Sequence, residues 1–105
     1  MPKKTKNSNP SWFGFPITIR DDAGFKRADI VNYLEQNKIA TRMLFAGNAT
    51  KQPAYFKIKK RIVGDLKNTD KIMNDSFFVG VYPGIGIEQL NYMIDILEKF
   101  FKKYN

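Results

Sequence analysis

The sequence predicts a two-layer α+β sandwich, a small and mostly antiparallel sheet with helices on one face. Short runs dense in aromatic and β-branched residues, WFGFPITI at 12–19 and FFVGVY at 77–82, read as strands. Apolar residues spaced by three and four mark helices over 25–37 and 87–104. A chain of 105 residues is one domain in length, so both kinds of element must bury their apolar sides in a single core.

The elements follow in order. Residues 1–10, rich in Lys, Asn and Ser, read as a linker or flexible lead-in, and residues 11–105 as the domain itself. Pro16 has no N–H to give a ladder, so the strand at 12–19 belongs at an edge or carries a bulge. Residues 20–24, RDDAG, form a turn. Ile30, Val31 and Leu34 share one face of the first helix. Asp22 or Gly24 could cap it, and Asn37 could take the left-handed position at its end. Ile39–Leu44 could be a second strand, and residues 45–66 are mostly irregular, with one helical turn beginning at Pro53. Asn68 can cap a short helix through Asp75 with Ile72 and Met73 facing inward. The last helix carries a wide apolar stripe from Leu90, Met93, Ile94, Leu97, Phe100, Phe101 and Tyr104. Lys99, Lys102 and Lys103 complement its dipole at the C-terminal end. Trp12, Phe13, Phe15, Phe77, Phe78 and Tyr82 are too many aromatics for one face of so small a sheet, so some should lie against another domain or subunit.

Composition narrows the chemistry. There is no cysteine, hence no disulfide, thiol nucleophile or cysteine metal site, and no histidine, which removes the commonest general base and metal ligand. The net charge of +8 and pI near 9.8 favour an anionic partner without saying which. No apolar run approaches the ~20 residues of a membrane span, and the polar N-terminus does not read as a signal peptide. A cytoplasmic location is the default expectation, with no membrane partner.

Several patterns have ordinary readings. Gly80, Gly84 and Gly86 lack a Walker lysine and suit a turn followed by a helix start. Asp65, Asp70 and Asp75 are five apart and suit capping or structural work better than paired-carboxylate chemistry. The cluster Lys57, Lys59, Lys60 and Arg61 alternates with Phe56, Ile58 and Ile62, which suits either a solvated loop, a phosphate patch, or an edge strand with one buried face.

The stretch RMLFAGNATKQPAYF at 42–56 is different, because long irregular segments within compact domains are often functional. Arg42 offers a planar fork for phosphate or carboxylate, Asn48 and Gln52 offer amides, and Tyr55 offers a ring and a hydroxyl. On residue types alone it is either a ligand-contacting loop or a packed domain-interface loop.

The succession PSWFGFPI, TRMLFAGN, QPAY, VGDLKNTDKIMN and FFVGVYPG resembles the C-terminal domain of the DegT/DnrJ/EryC1/StrS group, over about residues 2–104. These are enzymes of the fold-type I, PLP-dependent class acting on nucleotide-linked sugars. FAGN and NTDKIMN point within it to the lipopolysaccharide-biosynthesis branch of CDP-4-keto-6-deoxy-glucose 3-dehydrases. The resemblance implies a small domain that closes the active site, is not catalytic alone and binds no cofactor alone. PLP or PMP and a 2Fe-2S iron–sulfur cluster would belong to a large cofactor-binding domain, in the same or a separate chain. It further implies a nucleotide-linked 4-keto-6-deoxy sugar as substrate, a flavoprotein reductase as electron donor and a homodimer in full-length form. By resemblance Phe13 would border the cofactor and hexose. Arg42, Asn48, Gln52 and Tyr55 would face the diphosphate and sugar, with Lys71 a weaker candidate. The alternative is a small basic nucleic-acid-binding or interaction module.

Overall fold

The computed structural model of the chain describes residues 3–104, so Met1 and Pro2 of the expected lead-in lie outside the described residues. The elements run β1 (Gly14–Thr18), α1 (Arg27–Gln36), β2 (Thr41–Met43), two 3₁₀ turns (Ala49–Lys51 and Pro53–Tyr55), α2 (Lys67–Asp75), β3 (Ser76–Gly80) and α3 (Ile87–Phe101). The sheet is antiparallel with order β1-β3-β2. The expected small antiparallel sheet with helices is therefore what forms. Pro16 sits on an edge strand opposite Phe78, where its missing donor is tolerated.

The register decides which residues share a face. Ile17 pairs with Phe77, and Phe15 and Thr41 both pair with Val79, so these point toward the helices. Phe77 and Val79 pack there with Ile30, Val31 and Leu34 of α1 and Ile96 and Phe100 of α3. Phe77, Ile30 and Leu34 are completely or almost completely buried, each worth about 1.5–3 kcal/mol of burial. Pro16, Phe78 and Arg42 lie on the opposite face, which neither α1 nor α3 covers. Of the six aromatics in excess, Phe77 alone is fully buried. Trp12, Phe13, Phe15 and Tyr82 remain exposed.

Several local details differ from the expectations. The N-cap of α1 is Lys26, whose amide donates to the Asp29 carboxylate at 2.8 Å, instead of Asp22 or Gly24. Asp22 is instead held by Arg20, whose Nη2 and Nε donate to its two carboxylate oxygens. The left-handed residue after α1 is Lys38 (φ 64°) and not Asn37 (φ −93°). Lys38 N–H bonds to Glu35 O and Ile39 N–H to Leu34 O, a C-terminal motif that buries Ile39 on Leu34. Asn37 serves the same end by returning its Nδ2 to Tyr33 O at 2.8 Å.

Asn68 lies inside α2, not at its cap. Leu66 takes the cap position in the left-handed region and the Asp65 carboxylate accepts the Lys67 amide. Met73 turns inward but Ile72 is exposed. The stripe on α3 divides: Phe100 enters the core with Met93 and Leu97 packed partly against it, Leu90 and Ile94 stay about half exposed, and Ile96, outside the expected stripe, is buried in the core. Residues 56–63 form no strand, and Phe56, Ile58 and Ile62 are all exposed, so the edge-strand reading is overturned. At the other helix start, Gly86 caps α3 with its amide on Gln89 Oε1, as the turn-plus-helix reading of the glycines expects.

Candidate functional site

The 42–56 segment starts from a fixed point. Glu35, at the end of α1, accepts the Thr41 amide at 2.6 Å and the Thr41 hydroxyl at 2.8 Å. These bonds, the amide first, hold the Glu35 carboxyl below its ordinary pKa and fasten the start of β2 to the helix. Arg42 follows. It faces Phe78 across the ladder, and its Nη1 donates to Thr41 O at 2.8 Å.

The chain then turns sharply. Gly47 N–H bonds to Leu44 O at 3.0 Å, with Phe45 (φ 47°) and Gly47 (φ 57°) both left-handed. For Phe45 that conformation costs about 1–2 kcal/mol, and no core burial offsets it, since the residue is 82% exposed. Gly47 is required at its place: a Cβ would stand 2.5 Å from Met73 Cγ and 3.0 Å from Met73 Cα.

Beyond Gly47 the loop is held by its own amides. Asn48 is 2% exposed. Its Oδ1 accepts the Thr50 amide and hydroxyl, and its Nδ2 donates to Asp70 Oδ1 at 2.7 Å. Lys51 Nζ takes the other Asp70 oxygen at 2.7 Å. The bonds from Lys51, then Asn48, hold the Asp70 carboxyl below its usual range. Gln52 Nε2 closes back on Ala46 O at 2.7 Å. Tyr55 stands half exposed on the second 3₁₀ turn.

On the open face of the sheet an aromatic group forms beside Arg42. Phe13 lies 5.6 Å from Phe78 and 6.3 Å from Phe45 between ring centroids, and Phe45 lies 6.3 Å from Phe78. Gly14 makes this possible, because a Cβ there would collide with Cδ2 of the Phe78 ring. With Trp12, Pro16 and Leu44 these rings bound a hollow of about 220 Å³. A larger hollow of about 560 Å³, between α3 and the ends of β2 and β3, contains none of the candidate residues.

The candidate residues thus separate. Phe13 and Arg42 reach the open face, Asn48 and Gln52 are engaged within the loop, and Tyr55 stands apart on its turn. Lys71 is bound to Asp21 and, at 2.9 Å, to Asp75, and these bonds, Asp21 first, raise its pKa. The three Asp residues spaced by five all prove structural: Asp65 caps α2, Asp70 holds the loop and Asp75 pairs with Lys71. Sequence reasoning missed Phe45 and the face of Phe78. Alternation along FFVGVY could have set Phe78 opposite Phe77; nothing local marks Phe45 for a left-handed turn. The sequence holds no Cys or His to ligate an iron–sulfur cluster.

The model of the DegT/DnrJ/EryC1/StrS aminotransferase family matches residues 1–98. The chain belongs to this family. Among its DegT-family relatives is the lipopolysaccharide biosynthesis protein RfbH of Salmonella typhimurium, 48% identical over 101 residues, 96% of this chain and 23% of that protein. The dTDP-4-dehydro-2,6-dideoxy-D-glucose 3-dehydratase of Saccharopolyspora spinosa is 47% identical over 103 residues, 98% of this chain and 22% of that one. The GDP-4-keto-6-deoxy-D-mannose 3-dehydratase of Yersinia pseudotuberculosis is 29% identical over 90 residues, 85% and 23% of the two chains. The DegT-family chain therefore spans about a quarter of the length of the curated relatives it matches. A solved Bacillus cereus structure described as a PLP-dependent aminotransferase superposes with TM-score 0.62 at 20% identity, over 79% of this chain and 21% of that one, which establishes the shared fold. Among the described residues no helix is long and apolar enough to cross a membrane.

Proposed function

We propose that residues 11–105 are the small C-terminal domain of a PMP-dependent nucleotide-sugar 3-dehydrase of deoxysugar and lipopolysaccharide biosynthesis. The domain closes the active site and contacts the sugar nucleotide, and is not catalytic alone. The observation that carries this reading is the sheet face turned away from α1 and α3, where Arg42 pairs with Phe78 and Phe78 groups with Phe13 and Phe45. An exposed guanidinium next to aromatic carbon suits an anionic group joined to a ring, the make-up of a nucleotide-linked sugar. The 3-dehydratase names of two relatives agree with that ligand class.

In this reading Arg42 pairs with the diphosphate, Phe13 borders the hexose and Tyr55 flanks the entrance. Asn48 and Gln52 act by shaping the loop that presents them. PLP or PMP and the 2Fe-2S cluster sit in a large cofactor-binding domain, in the same or a separate chain. The full assembly is a cytoplasmic homodimer served by a flavoprotein reductase.

The test is turnover of a nucleotide-linked 4-keto-6-deoxy sugar by this chain alone, by a matching cofactor domain alone, and by the two combined. Activity should require both, and Arg42→Ala should raise KM in the combined enzyme. Cofactor-dependent turnover by this chain alone would sink the reading, as would an Arg42→Ala enzyme with unchanged kinetics.

A second reading has one observation in its favour. Lys57, Lys59 and Arg61 are exposed together with Phe56, a basic patch with an aromatic neighbour. A nucleic-acid-binding module would show single-strand affinity falling steeply with salt; no binding at low salt removes it.

A further inference from the structure

We propose that Phe45, with Phe13 and Trp12 beside it, forms an apolar seat for the C6-methyl edge of a 6-deoxyhexose, making Phe45 a specificity-determining residue. The inference rests on the nucleotide-sugar reading and adds to it the residue that selects the sugar.

The backbone is the first reason. Phe45 is left-handed at the corner of the Leu44–Gly47 turn, a position that favours glycine, yet it carries a large ring. That ring is 82% exposed, so it contributes little to the core. Glycine would serve the fold as well or better. A strained aromatic held out of the core finds its compensation in what it contacts outside the chain.

The chemistry of the hollow is the second reason. Apart from the indole N–H of Trp12, the side chains around its roughly 220 Å³ are carbon only: the three phenylalanines, Pro16 and Leu44. A methyl group gains burial there. A hydroxyl in its place gives up water with few partners to replace it. Such a pocket discriminates modestly, by roughly 10- to 100-fold, because an apolar site cannot strongly reject one added hydroxyl.

The third reason is the neighbour. Arg42 stands on the same sheet face through its register with Phe78. A ligand anchored there by a phosphate would bring its attached sugar along the face toward the rings. Fixing one end by charge leaves the far end to be read by shape.

Trp12 is the only tryptophan and borders the hollow, so its fluorescence reports binding. The chain is titrated with dTDP-6-deoxy-D-glucose, dTDP-D-glucose and dTDP, which separates sugar from nucleotide. The 6-deoxy sugar is expected to bind roughly 10- to 100-fold more tightly than its 6-hydroxy counterpart. Phe45→Gly should bring that ratio to within about threefold without lowering Tm, and Phe45→Leu should retain part of it. Equal affinity for both sugars in the wild type, or a full preference surviving in Phe45→Gly, overturns the seat and leaves the nucleotide reading standing. No saturable response of this chain to any of the three probes overturns the seat, whereas the nucleotide reading stands or falls with the Arg42→Ala kinetics of the combined enzyme.

Discussion

Asn48 Nδ2 and Asp70 Oδ1 lie 2.7 Å apart, joining residues 22 positions distant and fastening the candidate loop to α2. The buried amide also caps the 3₁₀ turn through Thr50, so one side chain shapes the loop at both ends. Asn48→Ala leaves the Thr50 amide and hydroxyl without this acceptor, and should cost about 1–3 kcal/mol in urea unfolding. A loss below about 0.5 kcal/mol, the range of ordinary surface changes, would show that the loop does not depend on it.

The carboxylates give a pH signature. Asp70 and Glu35 are both held below their ordinary pKa by hydrogen bonds made only in the folded chain. Their contribution is complete above the unfolded value of about 4 and is lost as pH falls through the lowered folded value. Lys71 behaves oppositely: its pKa is raised, so its contribution is complete below about 10.4 and is lost at still higher pH. Stability should therefore stay level through neutral pH and fall at both extremes. Asp70→Asn should flatten the acid limb in pH-dependent thermal unfolding; an unchanged limb would remove Asp70 from the account.

Gly47→Ala combines two penalties, the left-handed backbone and a Cβ driven against Met73. Together these should destabilise the chain by about 2–4 kcal/mol. Adding Met73→Ala should recover only a part, because Met73 Cβ and Cα also stand within 3.0 Å of the new methyl. Full recovery in the double variant would mean that only the flexible end of Met73 opposes it.

Two phenylalanines should respond in opposite ways. Phe77→Ala empties the centre of the core and should cost about 3–5 kcal/mol. Phe45→Gly relieves a strained turn and removes an exposed ring, so its stability should be equal or up to about 1 kcal/mol higher. Chemical denaturation of both variants reads this contrast directly; a marked loss for Phe45→Gly would make the ring structural.

Much of the fold was legible along the chain. The alternation and β-branching of WFGFPITI and FFVGVY placed β1 and β3, the spacing of Ile30, Val31 and Leu34 placed α1, and Pro16 marked an edge. Such signals are local: each depends on residues within a turn or two of each other, and hydrophobic burial rewards the same period in any context. They also identified 42–56 as a segment too rich for a linker, and Arg42 within it as a planar fork; only the register with Phe78 set it on the open face.

What each side chain does there was decided by tertiary structure. Asn48 looked free to offer an amide until Asp70, Thr50 and burial claimed it. Phe45 looked like one more apolar residue until the approach of Gly47 to Met73 placed a tight turn beside it and set its ring with Phe13 and Phe78. Leu90 and Ile94 belong to the same apolar stripe as Phe100, but only the flank of α3 facing Phe77 meets the core. The sequence by itself determined the elements and their order, because periodicity and turn chemistry act over short range. Which groups stay available to a ligand depended on hydrogen bonds and close packing between segments far apart in the chain, and those partners exist only once the fold has formed.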